Sequence, residues 1–514
     1  MASCPDLPPE LLPEILRHLP KVHHLTRTAL VDHLFYQATI PELYKRASIY
    51  SWHKEGKLKV LLLFRTLASC PHLARYIRRL EIRDFPKHQL TDEGLKDILQ
   101  GLRNCTNLRS CTWTRDGSLT SSILCALLNA PSSPEASPHL SSSPMPNLRE
   151  LEINGHHVHL FDPKLLLHFR WLTKISIIMP TLEVIQVLEE WVKILQGTLT
   201  SLNLICRTSS LITDDTLIRM APSLQNLEFF HLTGCPKVTH KGIRAVLSEN
   251  ENGIKSLGLE GVSPRLDLEQ LLPTSSLNPQ PTFHNLRSLT LSLPPLNPSP
   301  PPPPNGHHHN YTAIQRWIAR SELSNYTSTL SSLITSTNAP NLEQFQIYSP
   351  YMFLEPCDAT STLFRELVKD HGDRLKRISV HRMLIDMDVI TEICSRCFKL
   401  EELFMVIEPG YLDDLALRIH NAKSLRTIHV NYPLEAHTED GGTAVLRLSE
   451  AVNFVRQCRN PSLTQFGCNA RVWHVHRRIV ERENDSGEKV KEIEIDLGPY
   501  ESPDVPEQFL VVRA

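Results

Sequence analysis

The sequence predicts an α/β protein, a solenoid of parallel strands and outer helices preceded by a small all-α domain. An apolar-x-x-apolar-x-apolar pattern recurs from residue 77 towards the C-terminus, and segments with helical apolar spacing lie between its copies. Residues 5–48 lack this pattern but carry apolar residues at helical spacing, which predicts the separate domain.

Each copy of the pattern predicts one strand. The copies are Ile77/Leu80/Ile82, Leu108/Cys111/Trp113, Leu148/Leu151/Ile153, Leu172/Ile175/Ile177, Leu199/Leu202/Leu204, Leu227/Phe230/Leu232, Ile254/Leu257/Leu259, Leu286/Leu289/Leu291, Leu342/Phe345/Ile347, Leu375/Ile378/Val380, Leu400/Leu403/Met405, Leu425/Ile428/Val430, Leu463/Phe466/Cys468 and a weaker Val490/Ile493/Ile495. Most begin 24 to 33 residues after the preceding one. That period indicates leucine-rich repeats, whose units bury their apolar faces by stacking, with strands on the concave face and helices outside.

The repeats predict three regions. Residues 1–50 form the helical domain, residues 51–470 the solenoid, and residues 471–514 a capping hairpin and tail. Two inserts, 131–146 and 294–310, are rich in proline and serine and predict projecting loops. The turn residues at 484–487, followed by alternating apolar residues, predict the hairpin that covers the last repeat.

Polar residues just ahead of apolar helical stripes predict helix starts. Thr91, Thr181, Thr239 and Asp388 each precede such a stripe. A threonine or aspartate oxygen at this place accepts a hydrogen bond from a free N–H group of the first helical turn.

Composition excludes several classes of function. A formal net charge of −2 gives no global field for nucleic acid. No apolar run is long enough to span a membrane, and the N-terminus lacks the features of a secretory signal. Twelve cysteines are scattered, several at strand core positions, which favours a reducing compartment, the cytoplasm or the nucleus.

No pattern predicts a catalytic residue, a cofactor or a metal site, so we expect no enzyme. Cys394 and Cys397 form a single CxxC without a second pair at zinc spacing. The clusters His156-His157-x-His159, His307–His309 and His474-x-His476 have no cysteine or carboxylate partner at ligand spacing in the sequence.

Strand residues between the apolar positions point away from the core and predict the binding surface. Among the residues directly before the third apolar residue of each copy, except the weaker last copy, only Glu81 and Glu152 are charged. Both are acidic, which disfavours nucleic-acid binding. Exposed aromatic residues suit a protein partner. The predicted client-binding residues are Tyr348, Arg377, His381, Phe404 and His429. Alternatively, Phe404 packs against neighbouring strand residues.

The N-terminal segment Leu7-Pro8-Pro9-Glu10-Leu11-Leu12, followed by Ile15-Leu16 and Leu19-Pro20, resembles the opening of an F-box. Leu30-Val31 stands where that family places later apolar anchors, and Phe35 or Tyr36 replaces the usual aromatic residue. The resemblance implies binding to a Skp-type adaptor and, through it, to a cullin. The implied adaptor-binding residues are Leu7, Pro8, Leu11, Leu12, Ile15, Leu16, Leu19, Leu30 and Val31.

The resemblance and the repeats together imply a substrate-recognition subunit of a cullin–RING ubiquitin ligase that holds an unknown protein substrate. The segment around Cys235 also resembles the cysteine-containing repeats of F-box proteins, so we expect this cysteine to be a buried turn residue. The alternative is a stand-alone interaction scaffold whose N-terminal helices only cap the array, because repeat arrays need capped ends.

Overall fold

The computed structural model describes residues 8–19, 22–50, 55–87, 90–128, 147–250, 252–272, 283–294, 308–350, 353–433, 445–483 and 489–500. The described residues up to His231 form one compact unit, and those from Leu232 to Tyr500 form a second. Of the sequence predictions, Leu7, the insert 131–146, residues 295–307 of the other insert and the tail 501–514 lie outside the described residues.

The strands occur at the predicted repeats. They are β1 (Arg46–Ile49), β2 (Arg79–Ile82), β3 (Ser110–Trp113), β4 (Glu150–Asn154), β5 (Lys174–Ile178), β6 (Ser201–Ile205), β7 (Phe229–Thr233), β8 (Ser256–Glu260), β9 (Ser288–Ser292), β10 (Gln344–Tyr348), β11 (Arg377–Leu384), β12 (Glu402–Val406), β13 (Thr427–Asn431), β14 (Gln465–Cys468), β15 (Arg471–Glu483) and β16 (Lys489–Pro499). The predicted α/β class with strand-and-helix repeats is confirmed. Strand β1 was not predicted, because it precedes the first copy of the pattern.

Helices fill most of the segments between strands. They are α1 (Leu12–Arg17), α2 (Val22–Thr28), α3 (His33–Tyr44), α4 (Gly56–Ser69), α5 (Pro71–Ala74), α6 (Asp92–Asn104), α7 (Ser121–Leu127), α8 (Leu182–Ile194), α9 (Asp214–Met220), α10 (His240–Glu249), α11 (His308–Leu333), α12 (Asp358–His371), α13 (Met387–Arg396), α14 (Leu412–Ile419) and α15 (Leu448–Cys458). Short 3₁₀ turns, such as Val158–Leu160 and Pro163–His168, replace helices in other repeats.

In the first unit, strands β1 to β6 pair in parallel with their neighbours in chain order. In the second, β8 to β14 do the same. The last two apolar positions of each copy point into the core: Leu202 and Leu204, like Phe345 and Ile347, are fully buried. Burial of these residues against the helices supplies the main driving force for stacking.

Asparagine side chains fasten successive repeats to one another. Five asparagines directly before the first leucine of the pattern each donate to a backbone carbonyl of the preceding repeat: Asn107 to Arg75, Asn147 to Thr106, Asn226 to Gln196, Asn285 to Asn252, and Asn341 to His284. These bonds satisfy carbonyl groups in the turns, where the strand ladder cannot reach them.

An antiparallel hairpin follows the last parallel strand of the second unit. Strand β15 pairs antiparallel with β14 and with β16. Trp473 stacks on Phe466, whose ring also stacks on Phe454 of α15, so the hairpin extends the apolar core beyond β14. This is the position at which the sequence predicts a capping hairpin.

Helix starts agree in part with the sequence predictions. Thr91 and Thr239 accept hydrogen bonds from the first turns of α6 and α10. Thr181 precedes α8 but its hydroxyl makes no capping bond. The prediction for Asp388 was wrong, because α13 already begins at Met387, after Asp386. Helix α11 includes residues 308–310 of the predicted second insert. Among the described helices, none combines the length and the apolar character that a membrane span requires.

Candidate functional site

Three short helices form the N-terminal part of the first unit. Helix α3 packs against both α1 and α2. The Asp32 carboxylate accepts a hydrogen bond from Phe35 N at 2.8 Å and so caps α3. Glu42 of α3 forms an ion pair with Arg17 of α1 at 3.2 Å, which links the two helices, and a second with Lys45 at the end of α3 at 3.1 Å. Asp32, the residue after Val31, therefore has a structural role.

The predicted adaptor-binding residues divide between two faces of this helical unit. Pro8, Leu11, Ile15, Leu30 and Val31 are exposed, and Leu19 is half-buried. Leu12 and Leu16 are both 3% exposed, so in this structure they pack within the helical unit, and a direct contact of either with a partner stays a prediction. Residues four apart share one helix face, so Leu12 and Leu16 point inwards while Leu11 and Ile15, each one residue earlier, point outwards.

The exposed residues form what we call the exposed apolar set, Leu11, Ile15, Leu30 and Val31. Their exposed fractions are 47%, 45%, 86% and 64%. Sequence reasoning missed further exposed apolar residues on the same helices, namely Val22, Leu34 and Tyr36. Leu34 lies in the first turn of α3, directly after the turn that carries Leu30 and Val31. Such a concentration of exposed large apolar residues on short helices and the turns that join them is typical of a protein-binding surface.

The predicted client-binding residues come together on neighbouring strands of the second unit. The register places Ser379, Phe404, His429 and Gly467 side by side on β11 to β14. Tyr348 of β10 lies beside His381 of β11. We call Tyr348, Arg377, His381, Phe404 and His429 the sheet-face cluster.

The sheet-face cluster is held by ring contacts. The Arg377 guanidinium lies 4.9 Å from the centre of the Phe404 ring, and the His429 ring stacks beside Phe404 at 6.0 Å between centroids. Phe404 is only 4% exposed, so the expectation of an exposed aromatic anchor is wrong, and the alternative that it packs against its neighbours describes the structure. Stacked neighbours on adjacent strands cover the ring although it points away from the core.

His429 is the most enclosed member of the cluster. It is fully buried, and its Nε2 donates to the carbonyl oxygen of Asn469 at 3.0 Å. A Cβ atom at position 467 would overlap His429 Nδ1, so Gly467 makes room for the ring. Burial lowers the pKa of His429 to about 4, so the imidazole is neutral at neutral pH.

Tyr348, His381 and Arg377 remain partly accessible. The Tyr348 and His381 rings meet edge to face at 6.5 Å, and His381 Nε2 lies 2.8 Å from Ser379 Oγ. Arg377 also lies 3.6 Å from a carboxylate oxygen of Glu402. These groups offer a phenol, an imidazole and a guanidinium, a combination suited to hydrogen bonding with a protein partner.

The hairpin adds two histidines that sequence reasoning had set aside. His474 pairs with Gln465 of β14 and stacks on Tyr500 at 4.9 Å. The His476 ring lies over Gly498, where a Cβ atom would overlap it. Alternation along β15 could have placed both histidines on one face, because they are two residues apart.

Glu81 and Glu152, the two charged residues of the predicted binding surface named above, form ion pairs with arginines. The Glu81 carboxylate is 3% exposed, lies 2.8 Å from Arg46 Nε and 2.9 Å from Arg79 Nε, and accepts from the Tyr50 hydroxyl. Glu152 binds Arg83 through both oxygens, at 3.0 and 3.5 Å. These arginines are engaged by carboxylates, which weakens the case for a phosphate-tracking surface here.

Burial also explains the cysteines singled out in the sequence. Cys235 is fully buried, in agreement with a turn residue of the repeat. Burial raises the pKa of both Cys394 and Cys397 to about 12, so they are thiols at neutral pH. Their burial and protonated state disfavour a nucleophilic role for either cysteine.

In the structure, a carboxylate lies beside the histidine cluster at residues 156–157, although none is near it in the sequence. Asp116, some 40 residues earlier, lies 3.3 Å from His156 and 3.2 Å from His157. Ligand spacing in the sequence therefore did not reveal this carboxylate. Partial burial opposes ionisation of Asp116, but hydrogen bonds and charge from His157 and His156 outweigh it and lower the pKa of the carboxyl.

No family model and no curated protein matches this chain. A similar solved structure is a chain of the yeast Rad7 and Elc1 complex, with a TM-score of 0.32 and 14% sequence identity over 78% of this chain and 95% of that chain. A likeness this distant carries no weight for the function, which rests on the residues described above.

Proposed function

We propose that this chain is a substrate-recognition subunit of a Skp–cullin–F-box type ubiquitin ligase. The N-terminal helices would bind the Skp-type adaptor, and the strands of the repeats would hold a protein client. The exposed apolar set is the observation that carries the proposal, together with the resemblance of residues 7–20 to an F-box.

The size of the helical unit explains why it needs a partner. Helices α1 and α2 span six and seven residues, and only Leu12 and Leu16 are buried among them. Burying a large apolar side chain stabilises a protein by roughly 1.5–3 kcal/mol. Contact with an adaptor through four such residues would thus contribute several kcal/mol before the costs of association are subtracted.

The chain would act by proximity. The adaptor and cullin would bring a conjugating enzyme close to the held client and raise the effective concentration of its lysines. We propose that no residue of this chain enters the reaction, which agrees with the protonated thiols of Cys394 and Cys397. The cytoplasm and the nucleus are the compartments where such a ligase, and reduced cysteines, are expected.

Adaptor binding tests the first half of the proposal. The double variant Leu30→Asp, Val31→Asp should lose the co-purifying adaptor and cullin, because it places charges in an apolar contact. Both residues are exposed, so the unfolding midpoint should hardly change. Leu417→Asp is the matched control, because Leu417 is 68% exposed on α14, far from the motif in sequence.

Wild-type recovery of adaptor and cullin by the double variant would contradict the F-box assignment. It would favour the scaffold alternative, in which the N-terminal helices only cap the array. Variants at Leu12 or Leu16 cannot serve here, because their burial means that loss of binding could follow from loss of folding.

Client binding tests the second half. Replacing Tyr348 and His381 with alanine should reduce the recovery of client proteins and leave adaptor recovery unchanged. Phe398→Ala is the control, since Phe398 is 72% exposed in the same unit and lies in a turn outside the strands. Equal client recovery from both variants and the wild type would place the client surface elsewhere.

A further inference from the structure

Two neighbouring loops of the first unit bring three metal-ligating side chains together. Strands β3 and β4 are parallel neighbours, and Trp113 at the end of β3 is in register with Ile153, one residue before the end of β4. Asp116 follows β3, and His156 and His157 follow β4, so all three lie beyond the same edge of the strands. One ligand atom of each lies within 4.8 Å of the others.

Both loops are fixed to the scaffold by buried groups. The fully buried Trp113 donates from Nε1 to Ser118 Oγ at 3.0 Å, which anchors the loop that carries Asp116. Asn154, 6% exposed, donates to the Thr114 carbonyl at 3.3 Å and accepts from the backbone N–H of His156 at 3.0 Å. A single buried amide therefore joins the two loops, an arrangement that preorganises ligands.

A glycine permits the close approach of these loops. Gly117 has a φ of +60°, in the left-handed region that disfavours other residues. A Cβ atom there would lie 3.0 Å from the His157 ring and 2.8 Å from Lys87 Nζ. The turn thus depends on glycine both for its backbone and for the space that His157 occupies.

The distances from the two oxygens of Asp116 to the histidine nitrogens are compatible with a shared ion. A charge-assisted N–H···O bond measures roughly 2.7–2.9 Å, whereas the two Asp116–histidine distances are 3.3 and 3.2 Å. Ligands about 2.0–2.1 Å from a tetrahedral ion lie about 3.3 Å apart. We propose that Asp116, His156 and His157 bind a divalent transition-metal ion of the zinc class.

The donor set selects the class of ion. Two imidazole nitrogens and one carboxylate oxygen suit zinc and its neighbours, whereas magnesium and calcium prefer oxygen ligands. The His156 and Asp116 side chains are 52% and 45% exposed, so the ion enters from solvent and keeps water at its remaining position. The ion links the loop after β3 to the loop after β4. Lys87 adds one positive charge nearby, which weakens affinity relative to closed four-ligand sites.

Metal titration of the full chain tests the site. The protein, freed of metal with a chelator, is titrated with Zn²⁺ by calorimetry and with Co²⁺ by visible absorption. Asp116→Asn and His157→Gln should each remove one binding site or weaken it at least tenfold. His168→Gln is the matched control, because His168 is an exposed histidine of the same unit outside the cluster.

Thermal unfolding separates metal binding from folding. Zn²⁺ should raise the unfolding midpoint of the wild type and of His168→Gln, since a ligand that binds the folded state stabilises it. Zn²⁺ should leave the unfolding midpoint of Asp116→Asn unchanged. Without metal, the wild type and the variants should have similar midpoints. Equal stoichiometry and affinity in the wild type and both ligand variants would overturn the site, as would binding of Mg²⁺ in preference to Zn²⁺.

Discussion

Protonation of His429 should destabilise the second unit at acidic pH. The imidazole is fully buried, its Nε2 donates to Asn469, and burial lowers its pKa to about 4 from the ordinary 6.5. Between these two values the unfolded chain binds the proton and the folded chain does not. The stability that the neutral His429 contributes is therefore fully present above pH 6.5 and is lost as the pH falls towards 4.

The size of the effect follows from the two pKa values. Each unit of difference corresponds to about 1.36 kcal/mol, and the folded form is half protonated at pH 4. The stability that this one group contributes should fall by about 3 kcal/mol between pH 7 and pH 4. That loss is a large fraction of the 5–15 kcal/mol by which folded proteins are generally stable.

Urea unfolding at a series of pH values, followed by circular dichroism, measures the effect. His429→Gln keeps an amide donor for Asn469 but does not titrate, so its stability should fall about 3 kcal/mol less than that of the wild type over this range. His371, also buried and with a lowered pKa, contributes equally to both proteins. His420→Gln, an exposed histidine variant, should follow the wild type. Identical pH profiles for His429→Gln and wild type would refute the reasoning.

Three further predictions concern stability and use the same unfolding assay at neutral pH. Gly467→Ala should destabilise the folded chain by roughly 1–3 kcal/mol, because the new Cβ atom would overlap His429. Gly410→Ala, whose Cβ atom would meet nothing within 4 Å, should have no such effect, and equal effects would contradict the packing of His429 over Gly467. Glu81→Ala should cost roughly 1–3 kcal/mol, because it leaves the buried Tyr50 hydroxyl without its acceptor and removes the pairing of the partly exposed Arg46 and Arg79, and an unchanged midpoint would count against this ion-pair group. Asn341→Ala should cost about 1 kcal/mol for the hydrogen bond lost to the preceding repeat, and an unchanged midpoint would show that this bond contributes nothing.

The strands could be predicted because one local pattern determines them. Two apolar residues separated by one position, as in Leu202 and Leu204, must share a face of a strand, and repetition of the pattern places the strands side by side. Strand β1 could not be found in this way, since Arg46–Ile49 lacks the pattern and gains its order from pairing with β2. Helix starts were less certain, because a threonine such as Thr181 can precede a helix without bonding to it.

The candidate sites depend on contacts that the sequence does not specify. Helical spacing in the sequence puts the apolar residues in and just before α1 on one face. The structure separates Leu11 and Ile15 from Leu12 and Leu16, and only the orientation of α1 against α3 decides which pair is buried. Asp116 joins His156 and His157 only because adjacent parallel strands end at one edge. Helix α7, the insert 131–146 and strand β4 lie between Asp116 and His156 in the chain, so their proximity cannot be seen in the sequence.

A position that points away from the core of a repeat is not necessarily accessible. Neighbouring strands lie about 4.8 Å apart, so a large side chain on one strand is flanked by the residues in register on both sides. Phe404 has Arg377 over its ring and His429 stacked beside it, and both neighbours are long or planar enough to cover it. Tyr348, His381 and Arg377 are therefore the partly open residues of the sheet-face cluster, to which our proposal assigns client binding, whereas Phe404 and His429 pack against the residues around them.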